Sequence, residues 1–152
     1  MPLFITNALE GKPLPVYGDG SQIRDWLHVD DHCSAIDLVL HEGKAGEVYN
    51  VGAEQDPEIT NLELTKQILA LTGASDALIT RVNDRPGHDV RYAVNSAKIR
   101  SMGWKPSRSF ADGLAQTVAW YKANEPWWKR IKSGEYQEWY NKQYGRSLAA
   151  KS

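Results

Sequence analysis

The chain is nearly without cysteine, has no surplus of charge and contains no long apolar run. Cys33 is the only cysteine in 152 residues, so an internal disulfide is excluded and a reducing, cytoplasmic setting is expected. With 18 Lys and Arg against 19 Asp and Glu, the formal net charge is −1. No global field then draws the protein to nucleic acid or to an anionic membrane, and any anion must be held by a local cluster. No apolar stretch approaches the roughly 20 residues of a membrane-spanning helix, and no basic-then-apolar leader precedes the first turn signal, Gly11-Lys12-Pro13. Nucleic acid and membrane are therefore not expected partners. Repeats, low-complexity tracts and linkers are lacking too, so residues 1–152 are expected to form one domain. That length suffices to bury a core.

What the chain does have is an uneven supply of aromatics. Trp120, Trp127, Trp128 and Trp139, four of the six tryptophans, follow residue 119, as do four of the seven tyrosines. Rings of this size complete a core or line a contact surface. Leu3, Phe4, Ile5, Ala8 and Leu9 share one helical face that stops at Gly11 and Pro13. "LPVYGDG" (14–20) reads as a short strand and a glycine turn, and "RDWLHV" (24–29) as a second strand, with Trp26 and His28 alternating against Leu27 and Val29. Asp30 or Asp31 is placed to cap a helix with Cys33, Ile36, Val39 and Leu40 on one face and Gly43 at its end. "GEVYNVGA" (46–53) predicts a strand buried on both faces. Thr60 and Glu63 have capping-box spacing and open a helix through Leu62, Ile68, Leu69 and Leu71 to Gly73. "LITRV" (78–82) is a further strand, and "DRPGHD" (84–89) is a loop punctuated by Pro86-Gly87. Ser96 caps a short helix ending at Gly103, Ser109 and Asp112 open a helix through Phe110, Leu114, Val118 and Tyr121, and the chain from Glu125 is helical again.

Arg24, Arg85 and His88 supply the fixed donors a diphosphate needs, because guanidinium groups bind phosphate oxygens in pairs. The same arginines also suit surface pairing with their neighbours Asp25 and Asp84. Tyr17 suits stacking on a planar base, with backbone groups of Pro15 and Tyr17 at the base edge, and it equally suits a half-buried strand position. His28 and His32 have the four-residue spacing of zinc-protease ligands. Val29 stands where the general-base glutamate would follow, however, and a strand-to-helix change at Asp30 separates the rings, so no metal site is expected. Cys33 has no activating neighbour and reads as a small core residue. Trp127, Trp128, Lys129, Arg130 and Lys132 imitate a stacking platform for nucleic acid, but Glu125, Glu135 and Glu138 interrupt it, which favours an amphipathic, solvated helix.

Taken together, "GKPLPVYGDGSQIRDWLHVDDH", "GEVYNVGA", "DRPGHDVRYA", "KIRSMGWKP" and "WWKRIKSGEYQEWYNKQYG" resemble the dTDP-glucose 4,6-dehydratase family of extended short-chain dehydrogenase/reductases. The likeness covers nearly the whole chain. "RDWLHVDD" is shared with many nucleotide-sugar epimerases and dehydratases, whereas "DRPGHDVRYA" and the double-tryptophan tail are similar to the dTDP-glucose family in particular. The resemblance implies an α/β fold, the C-terminal substrate-binding region of an extended Rossmann-type dehydratase, with short strands, about five helices and the Rossmann nucleotide-binding half absent. It further implies that Pro15, Val16 and Tyr17 hold the thymine, that Arg24 binds the diphosphate and that Asn61 contacts substrate. Asp84, Arg85, Pro86, Gly87 and His88 correspond to the loop that closes over the nucleotide.

The family's reaction passes hydride from the sugar to bound NAD and back while water is lost. It requires a glycine-rich βα turn, a Tyr-x-x-x-Lys pair and an Asp-Glu pair after a threonine. No tyrosine here has lysine four residues on, Thr-Asp-Glu does not occur, and the glycines never approach Gly-x-x-Gly-x-x-Gly. The expectation is therefore a C-terminal fragment with no catalytic residue and no cofactor of its own, its NAD-binding Rossmann half lying upstream. The strand at 46–53 would belong to that half's sheet and would favour self-association. A stand-alone nucleotide-sugar-binding module and a degenerate remnant are the alternatives.

Overall fold

The computed structural model describes residues 1–134 and 138–143. A proline in the first helical turn lacks only a donor that would be unpaired anyway, and Pro2 begins α1 (Pro2–Leu9). β1 (Leu14–Tyr17) pairs in parallel with β2 (Ile79–Val82), Leu14 opposite Ile79 and Tyr17 opposite Val82. Parallel strands need a long crossover, and this one contains α2 (Val29–Glu42) and α3 (Asn61–Thr72). A 3-10 turn, Asp76–Leu78, feeds β2, and α4 (Ala97–Arg100), α5 (Phe110–Ala123) and α6 (Glu125–Lys132) follow. The α/β class is as expected, and α1–α6 are the α-helices named among the described residues, where the sequence suggested about five. Residues 138–143 are helical as well, while the other tail residues of the expected helix, 135–137 and 144 onward, lie outside the described ones. No helix among the described residues is long and apolar enough to cross a membrane.

Two apolar clusters hold these elements. The larger contains Ile5, Ala8, Leu14, Leu64, Ile68, Leu69, Leu114 and Val118, joining α1, β1, α3 and α5. The smaller contains Ala35, Ile99 and Trp104, with Leu27, Leu38, Val39 and Val51 packed around it. Local chemistry fixes the frame. Thr60 and Glu63 form the complete capping box of α3, Gly73 ends that helix at φ +75°, and the Ser109 hydroxyl accepts from the Asp112 amide at the start of α5.

Four expectations are corrected. "RDWLHV" forms no strand: Ile23, just before it, makes isolated bridges to Thr60 and Arg91, and the Trp26 carbonyl accepts from the Gln55 side chain instead of a neighbouring strand. Its alternation has a different origin, because Trp26 packs on the larger cluster and Leu27 on the smaller. Residues 46–53 form no strand either. A strand needs a partner's backbone, and here the Val48 carbonyl accepts from Lys98 while Val51 packs on the smaller cluster. The cap of α2 is His28, whose Nδ1 accepts from the Asp30 amide at 3.2 Å; Asp30 and Asp31 occupy the first turn, where the helix dipole favours them. Finally, Cys33 is exposed, as are Ile36 and Leu40. The face of α2 that meets Ile99 and Trp104 is the one carrying Ala35, Leu38 and Val39.

Candidate functional site

Parallel pairing sets the carboxyl ends of β1 and β2 side by side, the edge where open α/β sheets bind ligands. The Gly18 amide donates to the Val82 carbonyl at 3.0 Å, so the turn after β1 and the loop after β2 leave the sheet together. Gly20, at φ +79°, must be glycine, since a Cβ there would lie 2.8 Å from the Val16 side chain. The loop after β2 is folded back by a turn in which the His88 amide donates to the Arg85 carbonyl at 3.1 Å, with Gly87 at φ +68°. Pro86 and Gly87 stay exposed at its tip.

These constraints bring Tyr17, Arg24, Asp84, Arg85 and His88 together. The His88 ring stands edge-on to Tyr17, with centroids 5.6 Å apart, and the Arg85 guanidinium lies 5.4 Å from the centre of the Tyr17 ring. Arg24 donates to the Asp89 carbonyl at 3.0 Å and meets His88 Nε2 at 3.2 Å. A guanidinium can only donate, so His88 Nε2 accepts and its Nδ1 carries the proton given to Asp84 Oδ1. That hydrogen bond is the main reason the Asp84 carboxyl sits below its usual range. Neither arginine is paired with its neighbouring aspartate: Asp25 Oδ2 accepts from the Glu54 amide, and Asp84 is engaged by Gln22, His88 and the Arg85 backbone amide. The result is a mouth in which Arg85 and His88 flank the Tyr17 ring and Arg24 joins them through His88, suited to a planar group bearing phosphate.

Pro15 and Val16 take part differently. Both side chains are buried, so only their backbone is available to a ligand. Asn61, the first residue of α3, is tied to the site through its amide, which donates to the Gln22 carbonyl at 2.8 Å. Three contributors were not visible in the sequence. Gln22 is buried and donates to Asp84 Oδ2 at 3.0 Å, Tyr92 stacks under Arg24 at 4.2 Å, and Gln143 of the tail donates to the Tyr17 hydroxyl at 3.3 Å. A buried amide and a loop tyrosine have no periodic signature; only the aromatic-rich tail gave any signal.

Beside Arg24 and Tyr92 lies a cavity of about 210 Å³, also lined by Asp25, Gln55, Glu58 and Arg91. Asp25 Oδ1 and Gln55 Oε1 are buried without a hydrogen-bond partner among the described residues. Such oxygens call for donors from water or a ligand. A dinucleotide cofactor finds no comparable cradle among the described residues. The glycine turn after β1 leads into an irregular segment rather than the helix whose N-terminus would hold a pyrophosphate. His28 likewise spends Nδ1 on its own helix cap rather than on a metal.

A sequence model of the GDP-mannose 4,6 dehydratase family matches residues 1–117. The chain belongs to this family. The chain is 49% identical over 150 residues to a dTDP-glucose 4,6-dehydratase of Salmonella typhimurium, covering 95% of this chain and 42% of that one. Two crystal structures of dTDP-glucose 4,6-dehydratases share its fold. The Streptomyces venezuelae enzyme, with NAD bound, superposes with a TM-score of 0.81 at 50% identity, covering 86% of this chain and 40% of that one. The Bacillus anthracis enzyme in complex with NAD gives 0.78 at 54% identity, covering 86% and 41%. The chain thus spans about two fifths of the length of these dehydratases.

Proposed function

We propose that this chain binds dTDP-glucose at the carboxyl ends of β1 and β2 and is the substrate-binding part of a dTDP-glucose 4,6-dehydratase. The observation that carries this reading is that Arg85 and His88, from the loop after β2, lie against the Tyr17 ring while Arg24, from the segment after β1, meets His88 Nε2, with no ion pair among the described residues between either arginine and its neighbouring aspartate. Tyr17 stacks on the thymine, and the backbone of Pro15, Val16 and Tyr17 meets its edge. Arg24, Arg85 and His88 take the diphosphate, Asn61 contacts the substrate, and Asp84, Pro86 and Gly87 form the loop that closes over it.

The reaction served is conversion of dTDP-glucose to dTDP-4-keto-6-deoxyglucose, for which NAD, when bound to the complete enzyme, supplies the hydride chemistry. The chain alone is catalytically silent, because the Tyr-x-x-x-Lys and Thr-Asp-Glu groups are not in its 152 residues. It works in the cytoplasm, joined to a Rossmann half that carries those groups. By itself it associates with further copies through exposed apolar surface. A second reading, a stand-alone nucleotide-sugar-binding module, draws on the fact that all ten residues proposed for the site come from this chain's own sequence.

Thermal-shift titration with dTDP, dTDP-glucose, UDP and ADP tests the reading, since a ligand that binds only the folded state raises the melting temperature by mass action. The thymidine nucleotides should stabilise more than ADP. Arg24→Ala or Arg85→Ala should weaken dTDP binding by about 1.5–3 kcal/mol, the scale of a charge-assisted hydrogen bond. Equal affinity in wild type and both variants rejects the clamp.

A further inference from the structure

The hydrogen bonds of His88 set a condition on how it can meet a phosphate. Its side chain is 5% exposed, and both ring nitrogens are engaged: Nδ1 donates to Asp84 Oδ1, and Nε2 accepts from Arg24 Nη2 at 3.2 Å. The nitrogen under Arg24 therefore presents a lone pair. A diphosphate oxygen presents one too, and two acceptors make no hydrogen bond. Moving the proton from Nδ1 to Nε2 only transfers the conflict, because a bare Nδ1 would then face the Asp84 carboxylate. A second proton, added at Nε2, removes it on both sides of the ring.

The groups around the ring are arranged to hold that second proton once an anion arrives. In the loop after β2, the Asp84 carboxylate lies against Nδ1 and is itself fixed by the buried Gln22, whose Nε2 donates at 3.0 Å, and by the Arg85 amide at 2.8 Å. The same loop carries the Arg85 guanidinium, and its Asp89 carboxylate is occupied by the Tyr92 hydroxyl. From the other side come the Tyr17 ring, at the end of β1, and Arg24, in the segment after it. Without a ligand, burial and two guanidinium groups oppose a charged ring. A diphosphate reverses that balance: it draws Arg24 toward its own oxygens, uncovers Nε2, and leaves the ring between two anions.

We infer that His88 receives the diphosphate as an imidazolium, so that the sugar nucleotide binds together with one proton, and that Asp84 is the positioning residue that holds the far side of the ring. The inference rests on the nucleotide-binding reading given above. The balance is simple: solvent supplies one proton to Nε2, Nδ1 keeps the proton it gives to Asp84, and Arg24 Nη2 exchanges an imidazole acceptor for a phosphate oxygen. Because the complex binds the proton more tightly than the free chain, affinity is greatest where the free ring is already protonated. It is lost as pH rises toward the range in which the complex releases the proton.

The test is calorimetric titration of the whole chain with dTDP-glucose in buffers of different ionisation enthalpy. Both phosphates of this ligand are esterified, whereas the terminal phosphate of dTDP would titrate near pH 6 and confuse the count. Between about pH 6.5 and 8.5, the side of the range where an imidazole is normally neutral, the wild type should take up a proton approaching one per ligand bound. Its affinity should fall by up to about tenfold per pH unit, the limit for one coupled proton. His88→Gln, whose amide donates to phosphate without titrating, should bind with no uptake and a flat pH profile. Asp84→Asn, which removes the charge behind Nδ1, should move the uptake to lower pH; an unmoved profile overturns the role given to Asp84. Wild-type binding with neither buffer nor pH dependence overturns the inference and leaves the nucleotide-binding reading standing. Undiminished uptake in His88→Gln overturns it as well, because the proton then goes elsewhere. A wild-type chain that does not bind dTDP-glucose at any pH in this range overturns the reading and the inference together.

Discussion

The two apolar clusters described in this chain differ in size and in how much of the flanking apolar surface is covered. Around Ile68, helices α1, α3 and α5 and strand β1 supply eight buried apolar residues, and every element that flanks the cluster contributes. Around Ile99 there are three, and the same helix that supplies Ala35 turns Val29, Ile36 and Leu40 outward at 65%, 53% and 77% exposure. Coverage of apolar surface therefore follows how many elements close over a cluster, and among the described residues the larger cluster gathers more of them. The candidate site is mounted beside the larger one: Tyr17 ends β1, whose inner residues Leu14 and Val16 are buried, and the loop after β2 leaves the sheet next to it. That placement gives the site a rigid base.

Matched truncations give the largest expected effect. Ile68 and Ile99 are both fully buried, so Ile68→Ala and Ile99→Ala remove the same atoms. Such truncations cost about 2–5 kcal/mol, less where the surroundings collapse into the void. Ile68→Ala should fall near the upper end and Ile99→Ala near the lower, read as urea midpoints at constant slope. Equal losses would break the comparison.

How far the sequence foretold these regions follows the same division. The capping box of Thr60 and Glu63, the Ser109 cap and the Gly73 stop depend on atoms within a few residues of one another, and each stands where the sequence placed it. "RDWLHV" and residues 46–53 were misjudged because a strand is completed by a partner far away in sequence, which alternation cannot reveal. The face of α2 was misjudged because it is chosen by Ile99 and Trp104, more than sixty residues downstream of Ala35. At the candidate site, Arg24, Arg85 and His88 could be named from their chemistry, but their meeting required the parallel register. Gln22 gave no signal because burial of a single amide is a tertiary property.

A smaller effect is expected where the two regions are joined. Asp31 of α2 is buried and accepts from the Ser107 amide at 3.1 Å, the Ser107 hydroxyl at 2.6 Å and Arg108 Nη1 at 3.3 Å, tying α2 to the approach to α5. Burial pushes this carboxyl up, but the hydrogen bonds from Ser107 and Arg108 together with the Arg108 charge bring it below its usual value. A carboxyl depressed in the folded state contributes stability that is complete above its unfolded pKa, about 3.9, and is lost as pH falls through the folded value. Asp31→Ala should therefore cost about 1.5–3 kcal/mol at neutral pH, with the difference from wild type shrinking below about pH 4. A cost that stays constant down to acid would mean that the carboxylate's charge is not what joins the regions.

The smallest effect on stability, and the clearest on assembly, is expected from the open side of the smaller cluster. Val29, Cys33, Ile36 and Leu40 are spaced four, three and four residues apart along α2, which places them on one helical face. All four are exposed, and Val48 is 78% exposed. Exposed apolar surface of this kind favours burial against another surface, so the isolated chain is expected to associate with a second copy. The association should be concentration dependent and visible by sedimentation velocity. Replacing Ile36 with Lys and Leu40 with Glu removes no buried contact, so the unfolding free energy should change by no more than about 0.5 kcal/mol. The same pair of substitutions should leave the chain monomeric at concentrations where the wild type associates. A monodisperse monomeric wild type, with rapidly exchanging amides across residues 48–51, would mean that the open face is satisfied by water alone.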